Sequence, residues 1–148
     1  MSTYTSTIHQ IVYATKKRRT TLKKENRDQL YKFLWSICER KKCQPHAING
    51  TEDHLHIILA IHPTIAVSDL VKELKISSSF FIKDNGIFPG FDSWQTGYGL
   101  FAYHVELLPK LIQYTENQEI HHKKISSQDE LRILLTKHRI DYDEKYFE

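Results

Sequence analysis

Two histidines stand one residue apart in Asp53-His54-Leu55-His56-Ile57-Ile58-Leu59. The apolar, β-branched surroundings predict a strand. Side chains alternate faces along a strand, so His54 and His56 share one face while Leu55, Ile57 and Leu59 take the other. Two imidazoles side by side on a rigid element make half of a metal site. Tyr114-Thr115-Glu116-Asn117-Gln118 offers the rest: a phenol and a carboxamide four residues apart, on one face of a predicted helix. Imidazole nitrogen suits Mn²⁺, Zn²⁺ and other borderline metals, and carbonyl oxygen suits Mg²⁺ and Mn²⁺. His54, His56 and the amide oxygen of Gln118 form a candidate three-ligand site with open positions, which a catalytic metal needs for a substrate oxygen. On a phosphodiester such an ion polarises a non-bridging oxygen and stabilises transition-state charge.

Tyr114 lies one helical turn from Gln118, the right scale of distance to attack a phosphate held at that site. A tyrosine nucleophile gives a covalent phosphotyrosine and conserves bond energy for rejoining. A free phenol has a pKa of about 10, so it needs activation by the metal or by nearby cations such as His121, His122 or Lys123. Tyr114, Gln118 and His121 fall in one stripe at helical periodicity, with Leu108, Ile112 and Thr115 on other sides. Neither pattern is specific alone: an HxH often only packs, and a YxxxQ pair means little in a chain with 8 tyrosines. Their occurrence together, in this order, carries the argument.

The elements that must hold these residues follow from pattern. Tyr4 to Thr15 predicts a strand. It runs into Lys16-Lys17-Arg18-Arg19, a basic loop placed to hold phosphates. Leu30, Phe33, Leu34, Ile37 and Cys38 mark the buried face of a helix over 23–41. A short strand over 43–48 follows, then a turn at Asn49-Gly50 lengthened by Thr51 and Glu52. The histidine strand runs to Ile61. A second helix over 68–82 has Ser68 as expected N-cap and Gly86 as terminator. The stretch 86–99 reads as loop, with Pro89 and Trp94, before a fourth strand over 100–105. Pro109 fits the first turn of the tyrosine helix, expected to run to about His121. Ser127-Gln128-Asp129-Glu130 reads as a capping box opening a helix buried through Leu131, Leu134 and Leu135. The tail from Asp141 is expected to be poorly ordered.

This order defines an α+β, ferredoxin-like βαββαβ sandwich: an antiparallel sheet with helices on one face, plus C-terminal helices. The histidine strand should be interior. Length fits one domain over 1–148. The longest apolar run, Ile57 to Ile61, cannot span a bilayer. With no signal-peptide apolar region, the expected location is the cytoplasm. Cys38 and Cys43 match no redox or zinc spacing and read as buried thiols. Net charge is +3, but residues 1–50 carry 11 Lys and Arg against 3 Asp and Glu, and the remainder 10 against 15. A basic first third suggests a polyanionic partner.

Together these residues resemble the single-tyrosine HUH transposases of the smallest bacterial insertion sequences (the IS two-hundred/six-oh-five group, with REP-associated tyrosine transposases as relatives). His54-Leu55-His56 matches the HUH, and Tyr114 to Gln118 the tyrosine helix, with Glu119 and His121-His122 continuing it. Ile8 to Lys16, Ser93-Trp94-Gln95 and Gly97-Tyr98-Gly99 match further, so the resemblance covers about residues 4–124. It departs at Thr115, where an apolar residue is common. The resemblance implies that His54, His56 and Gln118 are metal ligands for Mg²⁺ or Mn²⁺ and that Tyr114 is the nucleophile. It implies a substrate of single-stranded DNA cut beside hairpins at the element's ends, leaving a 5′-phosphotyrosine and a free 3′-OH. It also implies a homodimer, in some relatives with the tyrosine helix completing the partner's site. Lys16, Lys17, Arg18, Arg19, His121, His122 and Lys123 are then candidate DNA contacts. Tyr98 can stack on bases, whereas Trp94 fits core packing better. Two other readings compete: a non-catalytic binder of single-stranded DNA hairpins with the same fold, and a metal phosphoesterase that uses water and leaves Tyr114 structural.

Overall fold

A computed structural model describes residues 1–146. Its core follows the expected order: β1 (Ile8–Ala14), α1 (Lys24–Arg40), β2 (Gln44–Gly50), β3 (His54–Ala60), α2 (Val67–Asn85) and β4 (Gly99–Tyr103). Three helices follow: α3 (Leu108–Glu116), α4 (Gln118–His122) and α5 (Ser127–Lys137). The four strands form one antiparallel sheet in the order β2-β3-β1-β4. This is the ferredoxin-like arrangement, and β3 is interior as its apolar run requires.

The alternation along β3 sorts the two faces. Leu55, Ile57 and Leu59 are fully buried among Leu30, Leu34 and Ile37 of α1 and Leu70, Leu74 and Ile82 of α2. Each such side chain contributes about 1.5–3 kcal/mol on burial. A one-residue slip of register would turn the whole set outward, so this face fixes which way His54 and His56 point. On the opposite face Ile58 packs under Leu108, Leu111 and Ile112 of α3, and Val12 and Phe101 pack under Leu134 of α5. The C-terminal helices therefore roof the histidine face.

Several local expectations are corrected. β2 extends through Asn49 and Gly50, which pair with His56 and Leu55. A Cβ on Gly50 would lie 2.1 Å from the His54 carbonyl oxygen, so this close strand approach requires glycine. The N-cap of α2 is Ala66, without a side-chain cap, rather than Ser68, which lies inside the helix. Gly86 does terminate α2, in the left-handed conformation. The basic segment after β1 is a 3₁₀ turn, Lys16–Arg18, with Lys17 and Arg18 at φ 55° and 51°. Trp94 is buried: it packs edge-on against Tyr13 and donates its indole N–H to Ser78. Cys38 and Cys43 are buried and unpaired, and burial pushes the Cys38 thiol up to about 12. Within the tail, Glu144–Tyr146 forms a 3₁₀ turn and Glu144 pairs with Arg132 at 2.9 Å; residues 147 and 148 lie outside the described residues. Among the described residues no helix is long and apolar enough to cross a membrane.

Candidate metal centre and tyrosine site

The helix expected to run unbroken from Pro109 to His121 is divided at Asn117, which closes α3 before α4 begins. The cause lies in β2. Asn49, on the same face as its partner His56, donates its amide to the carbonyls of Thr115 (3.0 Å) and Glu116 (3.1 Å). The Thr115 carbonyl would otherwise accept from Glu119 in a continuous helix. Glu119 instead ties α4 to α1 through Lys24 and Arg27, each at 3.2 Å. The break leaves Gln118 fully buried at the start of α4. Tyr114 remains close, stacked on His121 with ring centroids 4.2 Å apart.

Four donor side chains converge beneath this break. His54, His56, His122 and Glu130 place one ligand atom each within 4.8 Å of one another. Glu130 Oε1 lies 2.7 Å from His56 Nε2, 3.2 Å from His122 Nε2 and 3.6 Å from His54 Nε2. Gln118 Oε1 joins them, 3.1 Å from His122 Nε2 and 3.4 Å from His54 Nε2. The other carboxylate oxygen of Glu130 accepts a hydrogen bond from the Tyr114 hydroxyl. One acid thus touches both the histidine cluster and the phenol.

The remaining nitrogens of the two strand histidines are committed outward. His56 Nδ1 donates to Gln10 Oε1 at 2.6 Å, and the Gln10 amide N–H donates in turn to Tyr103 at 2.9 Å. His54 Nδ1 donates to Asp53 Oδ1 at 2.7 Å, with Thr51 Oγ1 at 2.9 Å. Such partners orient the rings and turn Nε2 inward. Burial holds His56 below its ordinary pKa, against the contact with Glu130. The result is a set of ring nitrogens, a carboxylate oxygen and an amide oxygen converging on one point, ligand atoms that a cation can hold together. The Gln118 amide nitrogen is buried without a hydrogen bond of good geometry among the described residues, and its oxygen is the end turned into the cluster. The donor set of nitrogens and oxygens fits a borderline or hard divalent ion.

Electrostatics agree. Burial acts to raise the Glu130 pKa, but hydrogen bonds from His122, His54 and His56 outweigh it and hold the group as a carboxylate. Burial acts to lower that of His54, and Asp53 and Glu130 outweigh it upward. Burial, then the Glu130 contact, raises the Tyr114 phenol above its ordinary value. Proton transfer from Tyr114 to Glu130 is therefore uphill, and in this state Glu130 holds the phenol rather than deprotonating it.

His54, His56, Gln118 and Tyr114 are thus brought together. Among the residues read as DNA contacts, His122 lies within the donor cluster. Arg18 reaches Ser127 at 2.8 Å, and Ser127 reaches Asp53 at 3.3 Å. Lys16 pairs with Asp92 at 3.5 Å. Glu130 was not singled out from sequence, where it completes a supposed capping box. The cap of α5 is in fact Ser126, which accepts from the Asp129 N–H, while Glu130 is buried in the cluster. A signal was present: Glu130 precedes Leu134 by four residues, an acid on the buried stripe of its helix.

A ferredoxin-like sheet with a histidine pair on an interior strand and a tyrosine helix above it defines a class that comparison makes specific. The family model described as "Transposase IS200 like" matches residues 2–118. The chain belongs to the IS200-like transposase family. A transposase structure from Deinococcus radiodurans is 25% identical, covering 80% of this chain and 95% of that one, with a TM-score of 0.60. A REP-associated tyrosine transposase bound to a REP hairpin shares the fold at 15% identity and a TM-score of 0.59, covering 87% of this chain and 79% of that one. No curated protein sequence gives a match.

Proposed function

We propose that this transposase cuts and rejoins single-stranded DNA through Tyr114. The observation that carries the reading is Glu130, whose two carboxylate oxygens touch the histidine cluster and the Tyr114 hydroxyl within one chain. His54 and His56 would hold Mg²⁺ or Mn²⁺ with oxygen from Gln118 and Glu130, and the bound ion supplies charge stabilisation at a phosphate oxygen. Tyr114 Oη forms the bond to phosphorus as the P–O3′ bond breaks, the phenol proton passes to the departing O3′, and one strand leaves as a 3′-OH while its partner remains as a 5′-phosphotyrosine. The rejoining step reverses this, with the incoming 3′-OH displacing Tyr114. Glu130 and the stacked His121 hold the phenol in place, and buried Gln118 sets its distance from the histidines. The substrate is DNA bearing hairpin ends, as the bound REP hairpin of the structural relative suggests.

The test is an SDS-resistant adduct with single-stranded DNA from the ends of the chain's own genomic locus. It should require Mn²⁺ or Mg²⁺ and vanish in Tyr114→Phe. Hairpin binding with no adduct in wild type would turn the reading to a non-catalytic binder. Turnover of a small phosphodiester unaffected by Tyr114→Phe would turn it to a water-using phosphoesterase. Mixing Tyr114→Phe with His56→Ala decides where the tyrosine acts: no recovered adduct is expected if each chain uses its own, and recovery would place it across a dimer.

A further inference from the structure

A cleft of about 620 Å³ opens beside the cluster, between the β1–β4 edge of the sheet and α5, and His54 forms part of its wall. The strand-transfer reading requires only a phosphate at the cluster, and leaves this cleft unused. Its floor is apolar, from Val12, Leu131 and Leu135, and Tyr98 stands on its rim, 42% exposed. Gly97 and Gly99 flank Tyr98 on the lining, and nothing lies within 4 Å of where a Gly97 Cβ would stand. Among the described residues, three residues of the lining carry a buried polar atom without a partner: Tyr13 Oη, Gln95 Oε1 and Arg18 Nε. An unpaired buried acceptor is costly, and a ligand N–H that reaches Gln95 Oε1 would satisfy it.

We propose that this cleft receives one unpaired nucleobase of the single-stranded DNA, and that Gln95 selects a base carrying an exocyclic amino group. Volume, apolar floor and exposed aromatic rim suit a flat heterocycle, since every base has a π-face that stacks on a tyrosine. The polar chemistry narrows the choice. Gln95 Oε1 is an acceptor, and Asp141 and Asp143 add carboxylates at the rim. These groups repel phosphate and attract N–H donors, so the base enters while its backbone stays outside. Arg18 stands where the cleft meets the polar pocket beside Asp53 and Ser127, placed for the phosphate joining that base to the cluster. Adenine, cytosine and guanine each present an exocyclic amino group; thymine presents only an imide N–H. The inference rests on the single-stranded DNA reading, but it concerns binding and not strand transfer.

The experiment uses full-length Tyr114→Phe protein in EDTA, so that no covalent step contributes. Fluorescence anisotropy compares labelled hexamers of deoxyadenylate, deoxycytidylate, thymidylate and an abasic backbone. Adenine and cytosine hexamers should bind about tenfold more tightly than the abasic one, on the scale of one stacked base, with thymidylate between. Gln95→Leu should bring adenine and cytosine down to thymidylate, and Gln95→Glu, which keeps the acceptor, should retain the ranking. Tyr98→Ala should weaken all base-bearing hexamers together. Equal binding of abasic and base-bearing hexamers, absence of any hexamer binding, or a ranking unchanged in Gln95→Leu would each overturn the proposal. An adduct in wild type with no base preference would overturn the cleft alone; a base preference without an adduct would leave the cleft standing and overturn strand transfer.

Discussion

Glu130 and His56 lie 74 residues apart in the chain and meet at 2.7 Å in the core, carboxylate oxygen to imidazole Nε2. His56 Nδ1 faces Gln10 Oε1 at 2.6 Å, so Nε2 is the ring atom turned to Glu130, and the pair offers a nitrogen and an oxygen that a divalent cation can share.

Mn²⁺ should therefore stabilise the fold. At a free concentration a hundred times Kd, binding to the native state alone contributes about 2.7 kcal/mol. The Tm should rise by several degrees over the EDTA control and return on chelation. His56→Ala should abolish the rise, and Glu130→Gln should reduce it while leaving the chain folded. Differential scanning calorimetry decides the matter, and a Tm indifferent to metal would remove the centre from the reading.

The outer hydrogen bonds carry a separate expectation. Gln10 orients His56, and Asp53 orients His54. Partners of this kind typically account for 10–100-fold in metal affinity. Gln10→Leu and Asp53→Asn should each weaken Mn²⁺ binding on roughly that scale by isothermal titration. Tyr103→Phe, which removes only the acceptor holding the Gln10 amide N–H, should cost less. Equal affinity in Gln10→Leu would mean that His56 is oriented by packing alone.

The metal-free protein should be acid-sensitive. Burial raises Glu130 and Asp53, but their histidine contacts outweigh it, so both carboxyls sit below their ordinary values in the fold. A depressed folded pKa contributes stability that is present above the unfolded value, about 4, and is lost as pH falls through the folded value. Urea midpoints in EDTA should hold from pH 7 to about 5 and drop below about 4, and Glu130→Gln should flatten the drop. A slope identical in the variant would assign the acid sensitivity to other carboxyls.

The sequence displayed the sheet and its histidine face because period-two alternation in β3 and helical periodicity in α1 and α2 are local properties. The Tyr114–Gln118 spacing was equally visible. Glu130 was hidden because its role depends on α5 folding back over the sheet, and a Ser-x-x-Glu spacing explained it locally as a cap. His122 was read with the basic residues beside it, although its place four residues after Gln118 puts both on one face, where Gln118 Oε1 meets His122 Nε2 at 3.1 Å. The cleft had no local signature, since its walls come from β1, the loop before β4, α5 and the tail.

The break at Asn117 yields the last prediction. A continuous helix would carry Gln118 around the axis with Tyr114 and satisfy the Thr115 carbonyl internally. Asn49 takes that carbonyl and the next one, and so holds α4 where Gln118 points into the cluster. Asn49→Leu removes both donors from a position facing α3. Two lost hydrogen bonds of ordinary strength cost about 1–3 kcal/mol, and some of that is regained if the helix anneals through Asn117. Annealing would protect the Glu119 amide from hydrogen exchange, because its N–H gains the carbonyl that Asn49 held. It would also move the Gln118 oxygen off His54 and His122 and weaken Mn²⁺ binding. Greater Glu119 protection together with weaker metal affinity is the expected pair of results. Weaker stability with both unchanged would show that Asn49 merely caps α3 and that Gln118 is placed by its own burial.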